Sequence, residues 1–393
     1  MTHHNDHHHD ASAHAPAQGS ACGTPAVKCA GPIEPIVKVC FFVGLAAAAL
    51  SLAGFFFQPK HFWDAYLTGF LFTAMFPLGS LAILLVHGLT TGGWGLVIRK
   101  YAESATRTFP VLFVLFIPVL LNLKSIYPWA AAVVTDPLVL KKAAYLNIPG
   151  FIIRTGVFFV IWTAVAALVR TQSRKYSGHD ENSRTNLQLV CGLGMLLFIF
   201  ASTFAAFDWG MSLTPQWFST IFGIMTVIGN ALGAIAFLIL LSGIEVCKDG
   251  EKDPKTVQGY HDLGNLALAL VMLWAYMNFS QFFIIWSANL PEEILWYLPR
   301  YRGGWQWVGI GLILVHFFIP FFLLLNRMIK KNVRFLSRVA LWILAVRLID
   351  QIWTVAPGFV KGAGDLSWLY LTLPAAIAGL WMAAFGYQLR RAS

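Results

Sequence analysis

Charge is scarce in this chain. Only 12% of its 393 residues are Asp, Glu, Lys or Arg, about half the roughly 25% of an ordinary soluble domain, which excludes a water-soluble globule. Cysteine is sparse too, and Cys22, Cys29, Cys40, Cys191 and Cys247 form no C-x-x-C or C-x-x-C-H spacing. Iron–sulfur ligation and covalent haem attachment therefore have no support. The first 34 residues lack the apolar core of a secretory signal peptide. They mix His3, His4, His7, His8 and His9 with Ala, Pro, Gly and Ser, and read as a disordered, His-rich tail, with transition-metal binding as the sharper alternative. A basic groove with interleaved aromatics is also missing, so nucleic acid is not an expected partner.

What the chain has is hydrophobic length. Hydrophobic residues make up 58% of it, in charge-poor stretches long enough to cross a hydrocarbon core about 30 Å thick. Ten such stretches are expected, near 36–57, 62–89, 106–126, 148–170, 187–208, 216–244, 262–288, 305–326, 335–355 and 367–388. The fold class is an all-α, polytopic membrane protein over residues 35–393. Lys and Arg crowd the termini and even-numbered connections, as at Arg99, Lys100, Arg174, Lys175, Arg327, Lys330, Arg390 and Arg391. The opposite face has only Lys60, Lys124, Lys141, Lys142, Arg300, Arg302 and Lys361. The charge asymmetry places both termini in the cytoplasm and accounts for the net charge of +10.

Pro59-Lys-His-Phe62 and Pro215-Gln-Trp-Phe218 each lead into a long apolar stretch, four spans apart. Either spans 2–5 and 6–9 are two four-helix bundles of like orientation, with spans 1 and 10 peripheral, or two interfacial helix starts are alike by chance. Small residues such as Gly229, Ala231, Gly233 and Ala234 mark close helix packing. Trp63, Trp129, Trp296, Trp305 and Trp368 lie near span ends, as interfacial rings do.

Polar groups inside the spans need protein, water or a ligand, because lipid gives them no partner. Toward the outer face lie Asp64, Asp208, Gln281, Arg347 and Asp350; toward the cytoplasm lie His87, Glu103, Arg107, Glu245, His261, Asp262 and Asn326. Asn230 and His316 sit between the two groups. Arg347 and Asp350 are three residues apart and share a helical face, as an ion pair that fixes packing or as part of a polar path. Asp208 lies between Phe207 and Trp209 with no base nearby in sequence. It reads either as a buried carboxylate that takes up and releases protons or as a solvated helix end. His316 reads as a hydrogen-bonded packing residue or as a relay. Together these groups suggest two proton-conducting half-paths, one open to each side. Asp208 with Gln281 is the candidate pair for a quinone headgroup, needing also an apolar tail channel.

Several segments resemble one family. FDWGMSLTPQWFSTIFG (207–223), HDLGNLALALVMLWAYMNFSQFFIIWSANLPEE (261–293), RGGW (302–305), RLIDQIWTVAP (347–357) and TTGGWGLVIRKYAESATRTFPVLFVLFIPV (90–119) are similar to the F subunit of alternative complex III. That family is one of two NrfD/polysulfide-reductase-like membrane subunits of a bacterial quinol:cytochrome c or acceptor oxidoreductase. The resemblance covers about residues 35–390. It implies a ten-helix subunit of the bacterial inner membrane with no redox centre of its own, beside a related C subunit better suited to quinol oxidation. It further implies periplasmic multihaem cytochrome and iron–sulfur partners, and a quinone such as menaquinone, or a lipid, as the groove ligand. His261, Asp262, Gln281, Glu292, Glu293, Arg347 and Asp350 fall within the matching motifs and inherit polar roles. Two other readings stand beside it, a quinol-binding anchor of a molybdenum oxidoreductase and a free-standing secondary transporter.

Overall fold

The computed structural model describes residues 33–131, 136–176, 181–249 and 253–392. Most of the His-rich tail, with Cys22 and Cys29, lies outside the described residues. Among the described residues fifteen α-helices follow one another: α1 (Glu34–Phe57), α2 (Pro59–Thr90), α3 (Trp94–Thr106), α4 (Phe109–Leu121), α5 (Leu123–Ile126), α6 (Pro137–Lys141), α7 (Ile148–Lys175), α8 (Glu181–Trp209), α9 (Phe222–Asp249), α10 (Pro254–Ala288), α11 (Trp305–Leu312), α12 (Ile319–Leu325), α13 (Arg327–Lys331), α14 (Val333–Val355) and α15 (Leu369–Ala392). Among the described residues nine helical stretches are long and apolar enough to cross a membrane, or ten if the bent pair α3–α4 is one span. The chain is an all-α, multi-pass membrane protein.

The helix ends follow local chemistry. Pro59 and Pro254 open α2 and α10, where a missing N–H costs nothing. Asn147 caps α7 by accepting from Gly150 N at 2.8 Å, and Asn332 caps α14 through Phe335 N at 3.3 Å. Asn326 does the same for α13 through Met328 N at 2.9 Å.

Two stretches differ from the sequence-based spans. The third crossing begins at Trp94 and bends by 45° between α3 and α4. Arg99, Lys100 and Glu103 lie inside α3, so a search for charge-poor stretches places its start twelve residues late. The bend falls where Pro110 cannot donate to the preceding turn, and Thr108 holds it by donating to Ala105 O at 2.6 Å and accepting from Trp381 Nε1 at 2.7 Å. The sixth span, α9, starts at Phe222, whereas the chain from Pro215 to Ile221 is not helical. Pro59 instead stands in the first turn of α2, so the two Pro-led segments have different local structures.

α2 and α9 are the central helices. They meet so closely that a β-carbon on Gly79 would stand 2.0 Å from Asn230 O, which is why α2 carries glycine there. α8, α7, α3 and α4 pack around α2, and α10, α14 and α11–α12 around α9 or its partners, but α8 and α3 also pack on α9, so these two units interlock rather than forming separate four-helix bundles. α1 lies outside them, whereas α15, expected at the periphery, wedges between α1 and α2 with Trp381 and Phe385 fully buried. Arg390 Nη2 reaches Glu34 Oε1 at 2.8 Å, so the two described chain ends share one face, called here the terminal face. α2, α7, α9 and α15 begin at the opposite, far face.

Candidate functional site

A cavity of about 80 Å³ lies where α2, α8, α9, α10 and α14 converge. Its wall combines aliphatic and aromatic side chains with Asn230, Asn278, Arg347, Asp350, Gln351 and Thr226. At roughly 10–15 Å³ of this measure per water, and with so many polar partners, it suits about five waters.

Arg347 and Asp350 dominate its charge. One turn apart on α14, they are 5% and 6% exposed and joined by an Nη1–Oδ2 ion pair. Such a pair is costly to desolvate, and removing one partner costs more than removing both. Arg347 Nε has no hydrogen-bond partner among protein atoms. Asn278 anchors its amide on Trp274 O at 2.8 Å, and Thr354 donates to Asp350 O at 2.9 Å.

Trp274 also lines the cavity, and its ring centroid lies 4.1 Å from that of His316. His316 is fully buried, and neither ring nitrogen has a hydrogen-bond partner among protein atoms. It sits in a single π-helical segment, Ile313–Phe318, between α11 and α12. Such segments disrupt the regular ladder and gather at functional sites. The sequence places His316 correctly at mid-span, but its π-helical setting and its contact with Trp274 are not readable from spacing.

The remaining candidates form separate groups. Asp208 is not the unpaired carboxylate its neighbours suggest. Arg154, 54 residues away on α7, holds it through Nε–Oδ2 at 2.8 Å and Nη2–Oδ1 at 3.2 Å. Arg154 in turn donates to Tyr145 O at 3.0 Å and stacks 3.9 Å from the Tyr145 ring centroid. Gln281 instead accepts from Ser219 Oγ at 2.7 Å. The side chains of Asp208 and Gln281 have different partners, and neither lines the central cavity. Asp64 accepts from Tyr370 Oη at 2.6 Å and lies 3.5 Å from His61 Nδ1. Glu292 and Glu293 lie in the far-face turn that follows α10.

At the terminal face, Glu103 pairs with Arg99 at 2.8 Å and with Arg107 at 3.9 Å. Glu245 pairs with Lys100 at 2.6 Å and accepts from Tyr101 Oη. Asp262 accepts from Gln258 at 2.8 Å and lies 3.4 Å from His261 Nδ1. Asn265 joins this last group to the buried Lys330 at 2.6 Å. His87 Nε2 meets Gly92 O at 3.0 Å. Arg154, Lys330 and Tyr370 are absent from the sequence-based candidates, since each takes its meaning from a partner far along the chain, and Gln351 is absent too, although it lines the cavity next to Asp350.

Between Asn230 and Glu245, α9 presents Leu232, Ile235, Phe237, Leu238 and Leu241 to the interior. At 1.5 Å per residue that interval spans about 22 Å. The two polar regions are thus held apart by a largely apolar section. Among the described residues no three His, Cys, Asp or Glu side chains come together in a way that could hold a metal ion. No protein-family model matches this chain, and no curated protein matches it.

Proposed function

We propose that this chain is a non-redox membrane subunit of a quinol:acceptor oxidoreductase of the alternative complex III type. In this reading it resides in a bacterial inner membrane with both termini in the cytoplasm, beside a related subunit that oxidises quinol. Its own part is to carry protons along two half-paths and to support its neighbour. The long motifs quoted above motivate the assignment to that assembly.

The observation that carries the proton role is the central cavity, with its buried Arg347–Asp350 pair and its wall of amides and hydroxyls. Its size supports water as the occupant. About 80 Å³ accommodates a short chain of waters, whereas organic ligands occupy roughly 300–1,000 Å³. A quinone headgroup or an organic solute calls for a larger space. A free-standing carrier is further disfavoured because the irregular helices, α3–α4 in one unit and the π segment in the other, do not occupy corresponding positions.

Affinity capture of the full chain from native membranes tests the assignment. The expected result is a haem-rich particle that also contains iron–sulfur proteins and a second multi-pass subunit. A solitary colourless protein would favour the carrier, and a molybdenum-containing particle the anchor of a molybdenum oxidoreductase.

A further inference from the structure

A groove of about 370 Å³ opens on the far face, between α6 with the segment after it, the end of α8, and the chain that leads into α9. No residue lines both this groove and the central cavity. Its size falls in the range of organic-ligand sites. The walls are almost wholly apolar, with Phe204, Phe207, Met211 and Phe218, whereas the rim carries Lys141 and Lys142.

Two further features say what such a groove receives. Phe204 continues an exposed strip on α8 formed by Leu193, Leu197 and Phe200. These residues recur at steps of three and four and so share one face. In a membrane that face meets acyl chains, so the groove is a cleft continuous with the lipid-facing wall. The second feature is uncompensated charge. Among the described residues no carboxylate pairs with Lys141 or Lys142. Lys142 donates to Pro215 O at 2.7 Å and keeps two N–H donors for another acceptor. Burial pulls its pKa down, so an anion beside it would help it keep its proton. Of the wall's two hydroxyls, Ser212 is engaged with Asp208 O at 2.5 Å and Tyr145 with the Asp208 carboxylate, whereas the buried Trp217 Nε1–H has no partner among protein atoms and adds a donor that a phosphate oxygen can use.

We propose that this groove binds an anionic phospholipid, with its phosphodiester on Lys141 and Lys142 and one acyl chain over Phe204, Phe207 and Phe218. The site is independent of the proton role, and its test reads lipid binding alone.

The full chain, in whatever assembly it is purified with, is delipidated in detergent and titrated with phosphatidylglycerol or phosphatidylcholine under native mass spectrometry. Phosphatidylglycerol is expected to bind in preference. A Lys141→Gln/Lys142→Gln protein should bind it about 30-fold more weakly, at about fivefold per lysine. Ala144→Trp, which fills the cleft and leaves both charges, should weaken binding as well. Lys124→Gln, a far-face lysine outside the groove, should change nothing. The charge variant and the filling variant are independent, so misfolding of either leaves the other to decide. Equal binding of both lipids with no effect of the groove variants would overturn the proposal. So would displacement of the lipid by millimolar inorganic phosphate, or a retained quinone in its place.

Discussion

The Arg347 guanidinium occupies the space that a β-carbon at Gly229 would need. Such an atom would stand 2.7 Å from Nη2 and 3.1 Å from Cζ, well inside van der Waals contact. α9 therefore has a glycine where α14 aims its arginine into the cavity. The guanidinium is the free end of a long side chain, so a Gly229→Ala protein relieves the overlap by swinging Arg347 aside rather than by moving helices. The expected stability cost is about 1 kcal/mol, the low end for overpacking, with proton movement reduced far more. A drop in melting temperature with unchanged proton movement would show that the position of Arg347 is immaterial.

The Arg347–Asp350 pair should behave asymmetrically in melting experiments. Asp350→Ala strands a buried guanidinium and is expected to cost about 3–5 kcal/mol. The double replacement Arg347→Met/Asp350→Leu removes both charges and should melt near the parent protein. Equal losses from the single and double changes would mean that the pair is not desolvated.

The Arg154–Asp208 pair should behave in the same way, because Asp208 is fully buried and held by two hydrogen bonds from one guanidinium. Arg154→Ala should destabilise by about 3–5 kcal/mol, and adding Asp208→Asn should recover most of that. If Asp208→Asn alone abolished proton movement while Arg154→Ala left both stability and proton movement intact, Asp208 would be a proton carrier and not half of a structural pair.

His316 should show opposed effects on stability and function. Its two ring nitrogens are buried without protein partners, and a buried polar group left unsatisfied costs about 1–3 kcal/mol. His316→Phe keeps the contact with Trp274 and should raise the melting temperature while it slows proton movement. Lower stability with unchanged proton movement would assign His316 to packing alone.

Asp136 supplies a pH dependence outside the spans. It accepts from Gln216 Nε2 at 3.0 Å and from Leu138 N at 2.8 Å, and these bonds hold its carboxyl below the usual range, the Gln216 bond most strongly. A carboxylate whose folded pKa is depressed stabilises fully above its unfolded pKa of about 4 and loses that contribution as pH falls through the folded value. Hydrogen exchange in residues 136–147 should therefore rise on acidification below about pH 4, and Asp136→Asn should show that raised exchange at neutral pH. Exchange indifferent to both would remove Asp136 as the tether of this segment.

Much of the architecture is legible in the sequence, because crossing a membrane imposes length and apolarity on each helix. The misplacement at Trp94 shows the limit. At the terminal face α3 pairs its Arg99 with its own Glu103 and its Lys100 with Glu245 of α9, and a rule that shuns charge passes over it. The site divides along the same line. Arg347 and Asp350 are legible because they stand three residues apart on one helix. Arg154 with Asp208, Lys330 with Asn265, and Trp274 with His316 are not, because each pair is brought together by packing between helices, and local periodicity carries no trace of it.

In the proposed function, protons pass through the polar cavity beside α14. The most direct measurement is the number of protons moved per electron by the intact assembly in sealed proteoliposomes, for the parent and for Arg347→Met/Asp350→Leu, which retains fold and shape while emptying the cavity of charge. Continued electron transfer with fewer protons moved per electron is expected in the variant. An unchanged ratio at full electron flux would contradict it.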